Sequence, residues 1–357
     1  MLLKKIDFTA PSNKSKLDIS LNTNNQTWEE YYASYAYVIY QTMLAGFEMS
    51  QPYNPHGKAI LFLMRHALEL QLKSELAKRG EIIPTTSNIP EIIVALGGIN
   101  SLPEEIHRLV QIIDLDQNGY CYRYYFDSCK KSTYFKFGKV VETAEYFAIH
   151  EKMVNSNIFN SKPICPDLKI HEDWDLNFQV GYEFQYWHLR FQYDLIIEIL
   201  LEGVLNGTVD LQQSYIPLLF LIRHALELSL KAFVSDLEQF TGTECVESLC
   251  SEYRLSVLYR EFEAFAETLN LDKMDVEMQE ELKILLCQFN LHRTNIEALD
   301  FYNENFRFPE SYNTLHMVKF SEIPLAELIE LYYHSNKILS FSIDVLVNEG
   351  ILTSKSL

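Results

Sequence analysis

Leu61–Lys73 reads LFLMRHALELQLK, and Leu219–Lys231 reads LFLIRHALELSLK. Eleven of the thirteen positions coincide, so one chain carries the same segment twice. The spacing predicts a helix. At about 100° per residue, Glu69 falls about 40° from Arg65, Lys73 about 80° and His66 about 100°. These four polar residues share one narrow wedge. Leu61, Leu63, Met64, Leu68, Leu70 and Leu72 cover nearly every other direction. A helix that is apolar almost all round is buried rather than laid on a surface. The wedge is therefore expected to face a cleft, a domain interface or an internal polar network. Arg223, His224, Glu227 and Lys231 repeat the pattern.

Three chemistries fit those residue types. The first is structural. Glu69–Lys73 and Glu227–Lys231 are favourable i,i+4 pairs, and Arg65 and Arg223 can each grip a carboxylate bidentately, with Asp116 and Asp300 or an N-terminal Glu as candidates. The second is a composite catalytic site in which the two wedges meet. Its histidines, His66 and His224, would move protons, and Arg65 and Arg223 would stabilise charge on a phosphorane during RNA cleavage. The third is a metal site. However, His66-x-x-Glu69 and His224-x-x-Glu227 reverse the Glu-x-x-His order of carboxylate-bridged metal bundles. No metal or other cofactor is assigned.

The repeat extends outward in both directions. Upstream lie TWEEYYASYAYVIYQTMLAGF (27–47) and FQVGYEFQYWHLRFQYDLIIEILLEGVLNG (178–207). Thr27 with Glu30 is a capping-box signature, and Asn206-Gly207 is a stop signal. Downstream, Asp116 precedes Arg123 by seven positions, and Asp300 precedes Arg307 by seven. Each copy then offers a short extended piece and a closing helical segment. Copy two holds roughly 26 more residues between the repeated helix and its Asp-x6-Arg motif. EYRLSVLYREFEAFAETL (252–269) reads as an additional helix there. The proline-bearing stretch 161–175 breaks the helical pattern and marks the boundary.

Bulk composition narrows the function classes. A chain of 357 residues is long enough for two cores. The net charge of −19 disfavours broad capture of RNA, whose affinity comes largely from Lys and Arg. A protein partner or a small nucleotide ligand suits the charge better. The six cysteines form no C-x-x-C pair, which fits reduced thiols in a cytoplasmic protein. No apolar run is long enough to span a bilayer, and the first residues lack the apolar stretch of a secretion signal.

RHALELSLKAF (223–233) and LDFYNENFRFPE (299–310) together resemble the HEPN superfamily, whose corresponding segments run QAxEKxLKAL and LDxYYxxTRYPD. Copy one keeps the helix, but its second segment is DQNGYCYRYYFDS (116–128), without the proline. The resemblance implies bundles of four or five up-and-down helices that commonly dimerise. It implies roles in antiviral defence or toxin–antitoxin systems, as metal-independent ribonucleases, inactive partners or nucleotide-binding proteins. The ribonuclease members place a His four to six residues beyond an Arg-polar pair. Here Arg65 and Arg223 are followed directly by histidine, and Arg307 reaches His316 across eight residues.

The expected architecture is all-α: two tandem HEPN-like bundles, residues 1–160 and 176–357, packed as an intramolecular pseudo-dimer. Short extended insertions are expected near 120–138 and 306–320. The expected function is binding of a protein partner or nucleotide ligand, with a composite Arg/His ribonuclease as the alternative. Further association into a homo-oligomer is compatible with the pattern. Candidate catalytic residues are Arg65, His66, Arg223 and His224. Candidate supporting or ligand-binding residues are Glu69, Lys73, Glu227, Lys231, Asp116, Arg123, Asp300 and Arg307.

Overall fold

A computed structural model describes residues 10–17, 27–48, 57–127, 132–135, 138–143, 145–146, 149, 177–181, 185–241, 252–269, 272, 274–301, 304–309 and 325–352. The fold is all-α. After α1 (Pro11–Leu17), helix α2 (Trp28–Glu48) and helix α3 (Gly57–Arg79) form a hairpin. The capping box at the start of α2 is complete. Thr27 N–H donates to Glu30 Oε2 at 2.7 Å, and Glu30 N–H donates to Thr27 Oγ1 at 3.2 Å. The second hairpin pairs α6 (Tyr186–Asn206) with α7 (Leu211–Thr241). Gly207 ends α6 in the left-handed conformation, φ 84°, which a residue without Cβ adopts at no steric cost.

The two hairpins pack crosswise, α2 against α7 and α3 against α6. Their inner faces explain why the repeated helix has so little polar surface. Every residue of α3 from Gly57 to Ser74 is buried. Copy two behaves the same way along Leu218–Val234 of α7.

Shorter elements close the ends. Copy one adds α4 (Ile89–Ala95) and α5 (Glu104–Ile113) against α3. Copy two adds α8 (Leu255–Thr268), within the segment expected to be an additional helix, then α9 (Val276–Asn290) and α10 (Arg293–Phe301). The closing helix α11 (Leu325–Asn348) packs on α7 and α9.

Extended structure is sparse. Strands β1 (Phe126–Asp127) and β2 (Ser132–Thr133) pair within the expected insertion. Strands β3 (Lys139–Glu142) and β4 (Asn177–Val180) pair antiparallel, with Val141 opposite Phe178. That pairing lies beyond the expected insertion and joins the end of copy one to the start of copy two. The boundary stretch 161–175, and the second expected insertion beyond residue 309, lie outside the described residues.

Candidate functional site

Each repeated helix builds one ion network on its polar wedge. In α3, Glu69 accepts from Arg65 Nη1 through Oε2 and from Lys73 Nζ through Oε1, the latter at 3.1 Å. Arg65 also donates Nε–H to the Asp116 carbonyl at 3.1 Å, and Nη2 to the carbonyls of Gln117, at 3.0 Å, and Ser87. In α7, Glu227 accepts from Arg223 Nη1 at 2.7 Å and from Lys231 Nζ at 3.0 Å. Arg223 Nη2 donates to the Tyr253 carbonyl. Arg65, His66, Glu69, Lys73, Arg223, His224 and Glu227 have no exposed surface, and Lys231 keeps 3%. Burial alone would raise both carboxyl pKa values. In Glu69 it is overcome chiefly by Arg65, with Lys73 adding to it. In Glu227 it is overcome chiefly by Lys231, with Arg223 adding to it. Both carboxylates are held well below their ordinary range.

The histidines reach across to the other copy. His66 Nε2 donates to the carbonyl of Arg307 at 3.1 Å, and His224 Nε2 donates to the carbonyl of Arg123 at 3.1 Å. A carbonyl only accepts, so the proton of each neutral ring sits on Nε2. Each Nδ1 lies 3.4 Å from its own helix's glutamate. Burial is the largest influence and lowers both histidine pKa values to about 4, against the pull of Glu69 and Glu227.

The remaining contacts repeat the crosswise rule. Tyr35 donates its hydroxyl to the Phe306 carbonyl at 2.8 Å, and Tyr193 donates to the Tyr122 carbonyl at 3.4 Å. Lys73 Nζ lies 4.3 Å from the centre of the Phe308 ring, and Lys231 Nζ lies 4.6 Å from that of Tyr124. Between the two networks runs a column of four rings: His66, Phe62, Phe220 and His224. Successive centroids are 5.6, 5.0 and 5.7 Å apart, with interplanar angles of 8°, 19° and 16°. Two phenyl rings therefore separate the imidazoles.

The aspartates of the repeated Asp-x6-Arg motif do not serve as bidentate partners of the wedge arginines. Asp116 Oδ1 accepts from the amides of Tyr120 and Cys121, and Oδ2 accepts from that of Tyr122. It thus folds the turn that presents Arg123. Asp300 caps α8 by accepting from Leu255 N and Ser256 N, both at 2.7 Å. It lies 3.6 Å from Arg223 Nη2. Backbone amides at a helix start or tight turn compete well for a carboxylate.

Arg123 and Arg307 stand apart from the other cations. Arg123 donates Nη2 to the hydroxyl of Tyr124 at 3.0 Å, and that hydroxyl donates to Glu227 at 2.8 Å. Arg307 donates Nη2 to Ser87 Oγ at 3.3 Å and lies 4.0 Å from Glu69 Oε2. The Nε of each arginine is buried without a hydrogen-bond partner.

One feature had no signal in the sequence. A cleft of about 280 Å³ lies at α8 and α10, lined by Ser256, Tyr259, Arg260, Arg293, Ile296 and Glu297. Arg293 is already paired there, with Glu263 at 3.5 Å and Glu297 at 4.0 Å. Residues of opposite sign from two helices line it, and sequence spacing alone does not bring them together. Among the described residues no group of three or more His, Cys, Asp or Glu side chains is placed to hold a metal. No described helix is long and apolar enough to cross a membrane. Compared with protein-family models, curated proteins and solved structures, the chain matches none.

Proposed function

We propose that this chain is a HEPN-like protein of a bacterial defence or toxin–antitoxin system that acts by binding a nucleotide-type ligand or a protein partner, not by cutting RNA. The family assignment rests on the RHALELSLKAF and LDFYNENFRFPE motifs. The preference for binding rests on one observation: His66 and His224 are fully buried and donate Nε2–H to backbone carbonyls. A general acid or base must reach the proton it transfers and titrate near the working pH. Histidines held neutral down to about pH 4 and walled off by Phe62 and Phe220 suit a scaffold. The two copies form, in this reading, an intramolecular pseudo-dimer. The matched exchanges of His66 with Arg307 and His224 with Arg123 support it, as do those of Tyr35 with Phe306 and Tyr193 with Tyr122.

The test is RNA cleavage in EDTA, with total tRNA and mRNA as substrates. It compares the wild type with a His66→Gln/His224→Gln variant that retains its melting temperature. No cleavage above buffer is expected from either. Cleavage by the wild type that the variant loses would install the ribonuclease reading instead.

A further inference from the structure

Helices α2 and α6 align without a gap, because Tyr35 precedes Arg65 by thirty positions and Tyr193 precedes Arg223 by thirty. In that register one stripe differs in kind. Copy one carries Tyr32, Ala36, Tyr40 and Leu44, and copy two carries Arg190, Asp194, Glu198 and Glu202. Residues four apart stack along one side of a helix. Tyr32, Ala36 and Tyr40 are buried, as an apolar seam would be. Their counterparts on α6 are one arginine and carboxylates. Arg190 is buried, Asp194 and Glu198 are half-buried, and Glu202 is exposed.

The charged stripe is where α6 meets the closing helix α11. Tyr332 donates its hydroxyl to Asp194 Oδ1 at 2.6 Å, and the Arg190 guanidinium lies 5.6 Å from the centre of the Tyr332 ring. Arg190 shares its Nε–H between the two Asp194 oxygens, at 3.2 and 3.1 Å. Its Nη1 and Nη2 are buried without a hydrogen-bond partner, so its ion pair is with Asp194. Tyr333 of α11 also lies under the influence of Glu198 and Asp194. The other charges of the neighbouring helices are engaged elsewhere. On α1, Lys16 donates to the Leu205 carbonyl, and Lys14 pairs with Glu330 at 3.5 Å. On α11, Glu330 lies 3.9 Å from His292, His334 stacks on His292 with ring centres 6.0 Å apart, and Lys337 acts on His334. On α7, Asp236 accepts from Trp187 Nε1 at 2.9 Å.

We propose that Glu198 is a pH-operated latch for the closing helix: with its carboxyl protonated, α11 seats on α6, and its ionisation between Asp194 and Glu202 loosens that seat. Like charges four apart on a helix repel, and a half-buried carboxylate is poorly solvated. Burial raises the Glu198 carboxyl to about 7, and Asp194 and Glu202 push it the same way, against Arg190. Released into water, the same group titrates at about 4.3. The docked form therefore keeps its proton to higher pH than the released form. Its contribution to docking is complete below that lower value and is lost as pH rises through 7. Burial lowers the pKa values of His66, His224 and His334, so none of these produces a loss in that direction. Tyr332 and Tyr333 are raised above their ordinary range and keep their protons throughout.

The test is hydrogen exchange of the full chain by mass spectrometry at pH 6.0 and 8.0, each rate divided by the intrinsic chemical rate at that pH. Local opening of one element is read from its own amides. Wild-type α11 should lose about tenfold in protection between the two conditions, while α3 keeps its own. Glu198→Gln, uncharged at both, should carry its pH 6.0 protection to pH 8.0. Glu202→Gln, at an exposed position, should shrink the loss by removing one repelling charge. Undiminished protection of wild-type α11 at pH 8.0 overturns the latch. So does an equal loss in α3 and α11, or a loss that persists unchanged in either variant.

Discussion

At the scale of single residues, the structure turns histidine, the side chain most readily charged near neutrality, into a neutral brace. The sign of the pH dependence follows. His66 and His224 have folded pKa values of about 4, against about 6.5 in an unfolded chain. Between those limits the unfolded state binds more protons, so stability rises with pH through the window. The contribution is complete above pH 6.5 and is lost as pH falls toward 4, at roughly 3 kcal/mol per histidine. Urea unfolding at pH 7.5 and pH 4.5 should therefore show a much larger loss in the wild type than in His66→Gln/His224→Gln. Coincident losses would mean that the imidazoles are not neutral in the fold. The wedge itself was legible in LFLMRHALELQLK, because an apolar run with four polar residues on one stripe has few places to go but inside. The partners of its histidines were not. Spacing within one copy carries no information on which copy's backbone a ring nitrogen will meet.

At the scale of elements, two motifs that match in sequence do different work. Asp116 folds a turn within copy one, and Asp300 anchors a helix that copy one lacks. Sequence spacing suggested equal roles as arginine partners. The outcome was decided by α8, whose first amides need an acceptor. Asp300→Ala should fray the first turn of α8 and cost about 1–2 kcal/mol. Hydrogen exchange should quicken at Leu255 and Ser256 while α3 is unaffected. Unchanged protection there would remove the aspartate from the cap. Gly119 shows the same economy of space in copy one. It adopts φ +77°, and a Cβ there would lie 3.2 Å from the Arg65 guanidinium. The β3–β4 pair escaped notice because four residues with Phe178 and Val180 buried give too short an alternation to separate from a helix start.

At the scale of the molecule, the crosswise packing makes the two copies mutually dependent. Residues 1–160 alone would leave Arg123, Tyr124 and the polar wedge of α3 without their seats, and residues 176–357 alone would do the same to His224 and Lys231. Each half expressed separately is expected to lack a cooperative unfolding transition by circular dichroism, and the two coexpressed should recover one. A half that folds cooperatively by itself would refute this dependence. The all-α class and the duplication were plain from the paired sequences. The crosswise arrangement was hidden, because identical helices are compatible with side-by-side and exchanged packing alike.

The seating of each copy's Arg-aromatic segment on the other copy's helix also bears on self-recognition. The pocket that receives Arg307 and Phe308 has no means of telling whether they arrive from its own chain or from a neighbour. Two chains that traded halves would satisfy the same hydrogen bonds, ring column and ion networks as one chain closed on itself. The interior thus fixes the fit of the halves and leaves their ownership open, and concentration, not contact chemistry, becomes the quantity that decides between a solitary molecule and an interlocked pair.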